Sequence, residues 1–446
     1  MIKMNMINKA VDKNRSLILE AERYIWNHPE TGYKEVETCK YLAEKFEELG
    51  YELTYAENVP GFYTLFDTGK KGPTILILGE MDSLIIPTHK ECDPKTGAVH
   101  ACGHNAQSAT LLGIAASLKE KGVTDGMCGK IKLCAVPAEE MIEIEYRKEL
   151  KDQGVIKFYC GKTEFLSRGY FDDVDIAFMV HTARSTFVRL GSIGVVAKKV
   201  VYKGLASHAG TSPWLGRNAL YAANCGINAA NALRETFQES DLIRFHPIIT
   251  AGGSAVNAIP DQVKVEAFVR GKTFDAIKKA NRKINQALIG GALSLNNNIE
   301  INDFIASAPL LNDLNLIKVA KEAADIIIPE ENFTVNEVIG TGSTDMGDLS
   351  CVMPVINLYI DGAGGLSHGD NYQIIDAEKA CVKSAKWQIY ILKLLLSDNG
   401  VRAENIKQKA KIPFASRNEY IDFILSFEES DKGIEYTENG AKINLD

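Results

Sequence analysis

The order of apolar and polar residues divides most of the chain into two kinds of segment. Apolar side chains spaced three and four residues apart are typical of helices that bury one face. Short continuous apolar runs are typical of strands that are buried on both faces of a sheet. The spacing predicts helices over residues 15–28, 38–49, 111–122, 218–235, 274–288, 314–325 and 376–396. The runs predict buried strands at residues 74–78, 131–136, 175–180 and 353–360.

A carboxylate or a histidine follows each of the four apolar runs. Asp82 comes after the first run, and Glu139 and Glu140 come after the second. His181 directly follows the third run, and His368 lies in a glycine-rich stretch after the fourth. In open α/β sheets, ligands bind outside the carboxyl ends of the strands. We therefore expect these residues, which are distant in sequence, to meet at one edge of a sheet.

The pattern changes between residues 192 and 303. Alternating apolar residues at Val263, Val265 and Val269 predict a half-exposed strand of an antiparallel sheet. Together with the helices predicted nearby, this stretch is interpreted as an inserted α+β domain.

The predicted fold class is α/β, with a mostly parallel central sheet flanked by helices, plus the inserted α+β domain with its antiparallel sheet. A chain of 446 residues is long enough for two domains. The first domain is predicted at residues 1–191 and 304–400, and the inserted domain at residues 192–303. Residues 401–446 form an extension of unknown role.

Composition narrows the class of partner. The formal charge of -8, with 46% hydrophobic and 24% charged residues, is ordinary for a globular protein and gives no basic footprint for nucleic acid. No apolar run approaches the ~18 residues of a membrane span, and the start of the chain lacks the apolar core of a signal peptide. Nine cysteines scattered through the chain are typical of reduced thiols. The sequence predicts a cytoplasmic protein that binds a small molecule.

Cys102 and His104 stand one residue apart, ahead of a predicted helix. A thiolate and an imidazole can bind one zinc ion, although a packed cysteine before a capped helix also explains this pair. The residues that follow the apolar runs complete a set of five donors, which is enough for two ions that share one of them. The set consists of Cys102, His104, Glu140, His181 and His368. Glu139 could then act as general base on a water molecule.

Two further stretches carry polar residues without an assignment from the pattern alone. Residues 340–348 resemble a phosphate-binding loop, but no lysine precedes Ser343, and a helix cap is the simpler interpretation. His208 lies in the inserted domain, far in sequence from the candidate ligands. Without further information it is interpreted as structural.

Taken in order, the motifs of the chain resemble those of the metal-dependent aminoacylase and carboxypeptidase family. Within that family the chain looks most like the branch of indole-acetyl-amino-acid hydrolases and p-aminobenzoyl-glutamate hydrolase, over about residues 16–396. The motifs are His-Pro-Glu-Thr-Gly at 28–32, Gly-Glu-Met-Asp at 79–82, His-Ala-Cys-Gly-His-Asn at 100–105, Pro-Ala-Glu-Glu at 137–140, His181, Ser-His-Ala at 207–209, residues 252–261 and Ser-His at 367–368.

The resemblance implies a catalytic domain that binds two divalent ions, zinc or manganese, and an inserted domain that acts as lid and dimer interface. It assigns the five donors as metal ligands, Glu139 as the general base and Asp82 as the residue that orients a ligand. It assigns His208 to polarise the scissile carbonyl in the partner subunit's active site. It also assigns Asn257 to contact the substrate, and Arg270 is a weaker match to a residue that binds the substrate carboxylate. The implied assembly is a homodimer.

The resemblance also implies hydrolysis of the amide bond of an N-acyl or N-aminoacyl amino acid. Glu80 and Asn105 stand where many members of the indole-acetyl branch have aspartate, and Gln107 stands where they have histidine. Glu80, Asn105 and residues 343–348 instead resemble p-aminobenzoyl-glutamate hydrolase and dipeptidases for basic residues. A dipeptidase or carboxypeptidase with the same dinuclear site is therefore an alternative. A non-catalytic binding protein on the same fold is an alternative of another class.

Overall fold

The computed structural model describes residues 2–428 and 432–444. The chain forms two compact units. The first unit comprises Met1–Gly191, Leu311–Gly340 and Asp348–Arg417. The second unit comprises Ser192–Leu310, Thr341–Gly347 and Asn418–Asp446.

Helices occur in both units, and each predicted helix corresponds to one of them. In the described part of the chain, none of these helices is both long enough and apolar enough to cross a bilayer. The helices are α1 Ile2–Lys13, α2 Arg15–Trp26, α3 Val36–Glu48, α4 His104–Leu118, α5 Ile144–Asp152, α6 Gly161–Ser167, α7 Ala219–Ala232, α8 Phe274–Ser294, α9 Leu314–Ile327, α10 Met346–Ser350, α11 Ser384–Leu396, α12 Val401–Lys409 and α13 Arg417–Leu425.

The strands are β1 Thr54–Tyr55, β2 Phe62–Asp67, β3 Thr74–Glu80, β4 Leu84–Ile85, β5 Ala98–Val99, β6 Lys130–Val136, β7 Ile176–Ala183, β8 Phe187–Ser192, β9 Gly194–Lys203, β10 Arg244–Ala251, β11 Gln262–Gly271, β12 Asn298–Ser307, β13 Leu310–Leu311, β14 Thr334–Gly340, β15 Val355–Asp361, β16 Ala363–Gly364, β17 Gln373–Ile374, β18 Lys432–Thr437 and β19 Gly440–Asn444.

A nine-stranded sheet forms the centre of the first unit. Its strands are ordered β1-β2-β6-β3-β7-β15-β8-β13, and β14 pairs with β8. Strand β3 runs parallel to β6 and to β7, and β15 runs parallel to β7. The pairings of β2 with β6 and of β15 with β8 are antiparallel. Every residue of β3 is buried, with helix α4 packed against it, and strands buried on both faces appear in sequence as continuous apolar runs. The predicted mostly parallel sheet is confirmed.

Helix α4 is buried along its whole length, which explains why its sequence has no polar face. It contacts β3 and α2, and small residues allow this close approach. A Cβ atom on Gly79 would lie 3.2 Å from Leu111, and one on Gly113 would lie 2.5 Å from the Ile18 side chain. The tight packing holds the first turn of α4, which carries His104, against the end of β3.

The second unit contains a six-stranded sheet in the order β10-β11-β9-β12-β18-β19, with antiparallel pairing between neighbours. Helices α7 and α8 pack on one face of this sheet around a separate apolar core. The two helices approach closely at Gly226 and Gly291, where a Cβ on Gly291 would lie 2.3 Å from the Gly226 backbone nitrogen. Val263, Val265 and Val269 are buried while their neighbours along β11 are more exposed, so the predicted alternation is confirmed.

The structure divides the chain differently from the prediction in two places. Residues 304–310 belong to the second unit, because the pairing of β12 with β9 continues to Ser307, and residues 341–347 belong there as well. The predicted extension 401–446 is not one segment. Helix α12 packs on α11 in the first unit, whereas residues from Asn418 onward belong to the second unit and include strands β18 and β19.

Candidate metal centre

The candidate ligands of the first unit lie at the carboxyl ends of its parallel strands. Strand β3 ends at Glu80 directly beside Val136, the last residue of β6. Strand β7 continues three residues further than predicted, to Ala183, so His181 lies within the strand and not after it. The reason is that β15 pairs with β7 beyond this point, with Tyr359 opposite His181. The expectation that these strand ends lie at one edge of the sheet is confirmed.

Five candidate ligands and the candidate base form three overlapping groups. Within each group, one donor atom from each residue lies within 4.8 Å of the others. The groups are Cys102–His104–His181, Cys102–Glu140–His368 and His104–Glu139–Glu140. The structure therefore brings together the residues that the sequence proposed as ligands, and it places Glu139 among them.

Hydrogen bonds orient two of the imidazole rings. His104 Nδ1 lies 2.9 Å from the Asp82 carbonyl oxygen and 3.1 Å from its Oδ1. His181 Nδ1 lies 2.7 Å from the Thr182 carbonyl oxygen. A ring nitrogen that donates to such an acceptor leaves Nε2 with a free lone pair, which is the form of histidine that binds metal. Both rings can thus present Nε2 to an ion.

Asp82 connects two of the candidate ligands. Besides its contact with His104, its Oδ2 accepts a hydrogen bond from the Glu140 backbone N–H at 2.8 Å. The side chain is fully buried. One carboxylate therefore fixes both the ring of His104 and the backbone of the loop that carries Glu139 and Glu140.

The electrostatics of the centre fit a divalent cation. Although burial opposes it, the charges of His181 and His104 hold the pKa of the Cys102 thiol well below its ordinary value. Burial, followed by the negative charge of Cys102, raises the pKa of Glu140. A thiolate and a buried carboxylate in contact repel each other, and a bound cation relieves that repulsion.

Two buried donor atoms also fit an ion. His104 Nε2 and Glu140 Oε1 make no hydrogen bond to any residue that the structure describes. Each has a charged neighbour without hydrogen-bond geometry, since Glu80 Oε2 is 3.2 Å from His104 Nε2 and His368 Nε2 is 3.1 Å from Glu140 Oε1. Thiolate, imidazole and carboxylate donors of this kind are the ligands of zinc sites.

His368 reaches the centre from an exposed loop. Its backbone adopts a left-handed conformation with φ 61°, and its N–H donates to the Ala101 carbonyl oxygen at 3.0 Å. This bond fixes the loop next to the segment that carries Cys102. About half of the His368 side chain is exposed, which makes it the most accessible of the five candidate ligands.

Sequence reasoning missed a buried pair beside the centre. Lys162 and Glu80 are both fully buried and form an ion pair through Glu80 Oε1. Gln107 Nε2 donates to Glu80 Oε2 at 2.8 Å. In the sequence Glu80 stands out only as a departure from a family pattern, and Lys162 follows no apolar run. The pairing joins residues that are 82 positions apart, so no local pattern could have revealed it.

The three remaining candidates lie in the second unit. His208 is exposed, and its Nδ1 accepts hydrogen bonds from the backbone N–H groups of Gly210 and Thr211, each at 3.1 Å. The Ala209 N–H donates to the Asn257 carbonyl oxygen at 2.9 Å, so the segments that carry His208 and Asn257 lie side by side.

Arg270 is not part of that arrangement. It lies near the far end of β11, eight residues beyond the start of the strand, which corresponds to about 26 Å. There its guanidinium contacts His246 at 3.2 Å and Ser343 at 3.1 Å. The structure therefore brings His208 and Asn257 together and places Arg270 elsewhere in the unit.

Comparison with known proteins agrees with this fold and this donor set. Residues 76–393, more than half of the chain, match peptidase family M20/M25/M40. One of the p-aminobenzoyl-glutamate hydrolase chains of Escherichia coli is 27% identical over 303 residues, which cover 66% of this chain and 59% of that protein. The human Xaa-Arg dipeptidase is 26% identical over 380 residues, which cover 82% of this chain and 81% of that protein.

Two solved structures share the fold. An aminobenzoyl-glutamate utilization protein from Klebsiella pneumoniae superposes with a TM-score of 0.67 at 17% identity, covering 88% of this chain and 99% of that one. A dinuclear metal-binding peptidase of the M20 family from Bacillus subtilis superposes with a TM-score of 0.61 at 20% identity, covering 86% and 99%.

The fold, the donor set and these relatives together define a metal-dependent amidohydrolase. The chain belongs to peptidase family M20/M25/M40.

Proposed function

We propose that this protein hydrolyses the amide bond of an N-acyl or N-aminoacyl amino acid. The observation that carries the proposal is the position of Glu139, whose carboxylate lies within 4.8 Å of the donor atoms of His104 and Glu140. A carboxylate held next to metal ligands is placed to accept a proton from water. The names of the E. coli and human relatives describe hydrolysis of the same kind of bond.

The protein side of the reaction follows from this arrangement. Divalent ions held by the five donors would supply Lewis acidity, which lowers the pKa of water and polarises the substrate carbonyl. Glu139 takes the proton of the attacking water and returns it to the leaving amine. Asp82 holds His104 and Glu140 in place throughout. His208 donates a hydrogen bond to the developing oxyanion, in keeping with Nδ1 acting as an acceptor and Nε2 carrying the proton.

We propose two ions per subunit, zinc or manganese. Cys102, His104 and Glu140 each belong to two of these three donor groups, so any one of them could be a ligand that two ions would share. Thiolate and imidazole ligands favour zinc, whereas carboxylate ligands are also compatible with manganese.

The buried charges of the first unit favour a substrate without a free amine. A dipeptide would need a carboxylate to receive its ammonium group. Glu80 Oε2 lies 3.2 Å from His104 Nε2, and the charge of Glu80 is already balanced by Lys162. We therefore place N-acylated amino acids ahead of dipeptides as substrates.

A hydrolysis screen tests this function. Purified protein loaded with zinc or manganese is incubated with N-acyl amino acids, p-aminobenzoyl-glutamate and dipeptides, and the released amine is quantified. Turnover of the acylated compounds supports the proposal. Turnover of dipeptides alone would replace it with the dipeptidase alternative, and binding without turnover of any compound would favour a non-catalytic protein.

The ligand set is tested separately by elemental analysis. Cys102→Ala and His368→Ala should each lower the metal content per subunit, because each removes a donor. Cys134→Ala, at a buried thiol in the middle of β6, is the matched control and should keep full occupancy. Full occupancy in both ligand variants would show that the centre is assigned wrongly.

We further propose that the second unit acts as lid and dimer interface, and that the protein works as a homodimer in the cytoplasm. Support for the lid comes from the exposed His208 next to the segment of Asn257. Support for a reducing compartment comes from the nine cysteines, all of which are free thiols in the structure.

A further inference from the structure

The loop that carries Glu139 and Glu140 has an unusual backbone. It follows β6, and Ala138 adopts a left-handed conformation with φ 56°. Alanine disfavours this region, so surrounding contacts must hold it there. Hydrogen bonds fix both polar groups of Ala138. Its N–H donates to Glu35 Oε1 at 2.7 Å, and its carbonyl oxygen accepts from the Gly161 N–H at 3.0 Å.

The position of Glu35 at the start of α3 brings its carboxylate to the Ala138 N–H. Glu35 is the residue before the first turn of α3, it is fully buried, and its carbonyl oxygen accepts from the Cys39 N–H at 3.0 Å. Its Oε2 has no hydrogen-bond partner among the described residues, so the contact with Ala138 is the carboxyl group's principal role. Burial, followed by the charge of Asp82, raises the pKa of Glu35 well above its ordinary value.

The segment before Glu35 runs directly against the same loop. A Cβ atom on Gly32 would lie 2.9 Å from Ala138 Cα and 2.3 Å from an Arg147 guanidinium nitrogen. Only glycine allows this approach. Arg147 is fully buried, and it donates to the Glu140 carbonyl oxygen and, at 2.6 Å, to that of Tyr159.

The far end of the loop is held from the same side. The backbone of Glu143 also adopts a left-handed conformation, with φ 52°. Its side chain accepts a hydrogen bond from Thr31 Oγ1 at 2.5 Å and forms an ion pair with Lys34 at 2.6 Å. The Glu30 carbonyl oxygen accepts from the Ser83 N–H at 2.8 Å, next to Asp82. Residues 31–35 thus contact the loop at its start and at its end.

We propose that residues 31–35 form a cradle that positions the Glu139–Glu140 loop, with Glu35 as its central positioning residue. Glu35 acts through the Ala138 backbone and touches neither water nor substrate. This gives a role to Thr31 and Gly32 of the His-Pro-Glu-Thr-Gly motif, neither of which belongs to the metal centre. The effect on catalysis rests on the proposed function, whereas the effect on the loop does not.

Three variants test the cradle. Glu35→Ala removes the acceptor of the Ala138 N–H. Glu35→Gln keeps an oxygen acceptor of the same length. Leu42→Ala is the matched control. Leu42 lies on α3, the helix that Glu35 precedes, and is fully buried in the apolar core, so its substitution should lower stability without removing a contact to the loop.

Hydrogen exchange of the peptide that spans residues 137–143 gives a readout that needs no substrate. We expect exchange about tenfold faster in Glu35→Ala than in Leu42→Ala, and a rate near wild type in Glu35→Gln. Zinc affinity, measured by chelator competition, should fall about 10- to 100-fold in Glu35→Ala, since Glu140 loses its fixed position. On a substrate found in the screen, kcat should fall about 100-fold with KM within about twofold.

Two results would overturn the cradle. One is exchange in Glu35→Ala equal to that of Leu42→Ala, and the other is a Glu35→Gln variant as perturbed as Glu35→Ala. If the wild-type protein hydrolyses nothing in the screen, the proposed function fails, and exchange together with zinc affinity still decides whether the cradle exists.

Discussion

Two adjacent carboxylates at the end of β6 have different surroundings, and this difference carries the assignment of their roles. Glu140 is buried, and its backbone N–H donates to Asp82. Glu139 is only partly buried. A buried carboxylate among thiolate and imidazole donors suits a ligand, whereas a more accessible one beside it suits a proton acceptor.

Glu139→Gln should therefore abolish turnover and leave the centre intact. The amide cannot accept the proton of water, so we expect kcat to fall by about 10² to 10⁴-fold. Zinc content by elemental analysis should stay at the wild-type value, in contrast to Cys102→Ala. A Glu139→Gln protein that retains activity would exclude this residue as the base.

The buried ion pair of Lys162 and Glu80 leads to a prediction about the free energy of unfolding. Lys162→Met leaves the Glu80 charge buried without its cation, and breaking a buried pair from one side costs about 3–5 kcal/mol. Lys203→Met removes an exposed partner of Glu300 and should cost less than about 1 kcal/mol. Denaturant unfolding of the metal-free proteins makes the comparison. Equal losses in the two variants would mean that Glu80 finds compensation elsewhere, for example by taking up a proton.

At the scale of elements, the sequence was most informative where strands are buried on both faces. The runs that became β3, β6, β7 and β15 were predicted because covered parallel strands leave no polar alternation. The expectation that the polar residues after these strands lie close together is confirmed, since parallel pairing aligns the carboxyl ends of the strands. The prediction that His181 follows the strand was wrong, because β7 continues past His181 and pairs there with β15.

Contacts between distant segments could not be predicted from local pattern. Glu35 and Ala138 are in contact although they lie 103 positions apart in the sequence. From the sequence alone, a glutamate at the start of a helix is expected to be exposed. The structure of residues 401–446 could not be predicted either, because this segment is rich in lysine and glutamate and its strands are short. Its role emerges only when β18 is seen to pair with β12.

Removal of residues 418–446 should therefore destabilise the second unit. Within residues 418–446, Phe423 packs on Phe274 with ring centroids 4.9 Å apart, and Tyr436 Oη donates to the Asn297 carbonyl oxygen at 2.9 Å. Truncation exposes the edge of β12 and part of the apolar core. We expect faster proteolysis within residues 192–310 and an unchanged metal content. Phe423→Ala should show the same change in smaller degree, and a truncated protein as resistant as wild type would contradict this role.

At the scale of the whole molecule, the proposed catalytic residues are divided between the two units. Glu139 and the candidate ligands belong to the first unit, whereas His208 belongs to the second. His208 is exposed, and its ring is oriented by two backbone N–H groups. An oriented side chain at the surface suits a residue that completes a site on another chain, as the family resemblance implies for a symmetric dimer.

Mixing two inactive variants tests this arrangement. If His208 acts in the partner's active site, a dimer of one His208→Ala subunit and one Glu139→Gln subunit contains one site with both residues intact and one site with neither. Random reassortment gives about half mixed dimers, each with one of two sites restored, so about a quarter of wild-type activity should return. Subunit exchange is followed with differently tagged chains, and Glu139→Gln mixed with Glu139→Gln/His208→Ala is the control that cannot complement. If tagged mixed dimers form while activity stays at the level of the separate variants, His208 acts within its own subunit or has no part in catalysis.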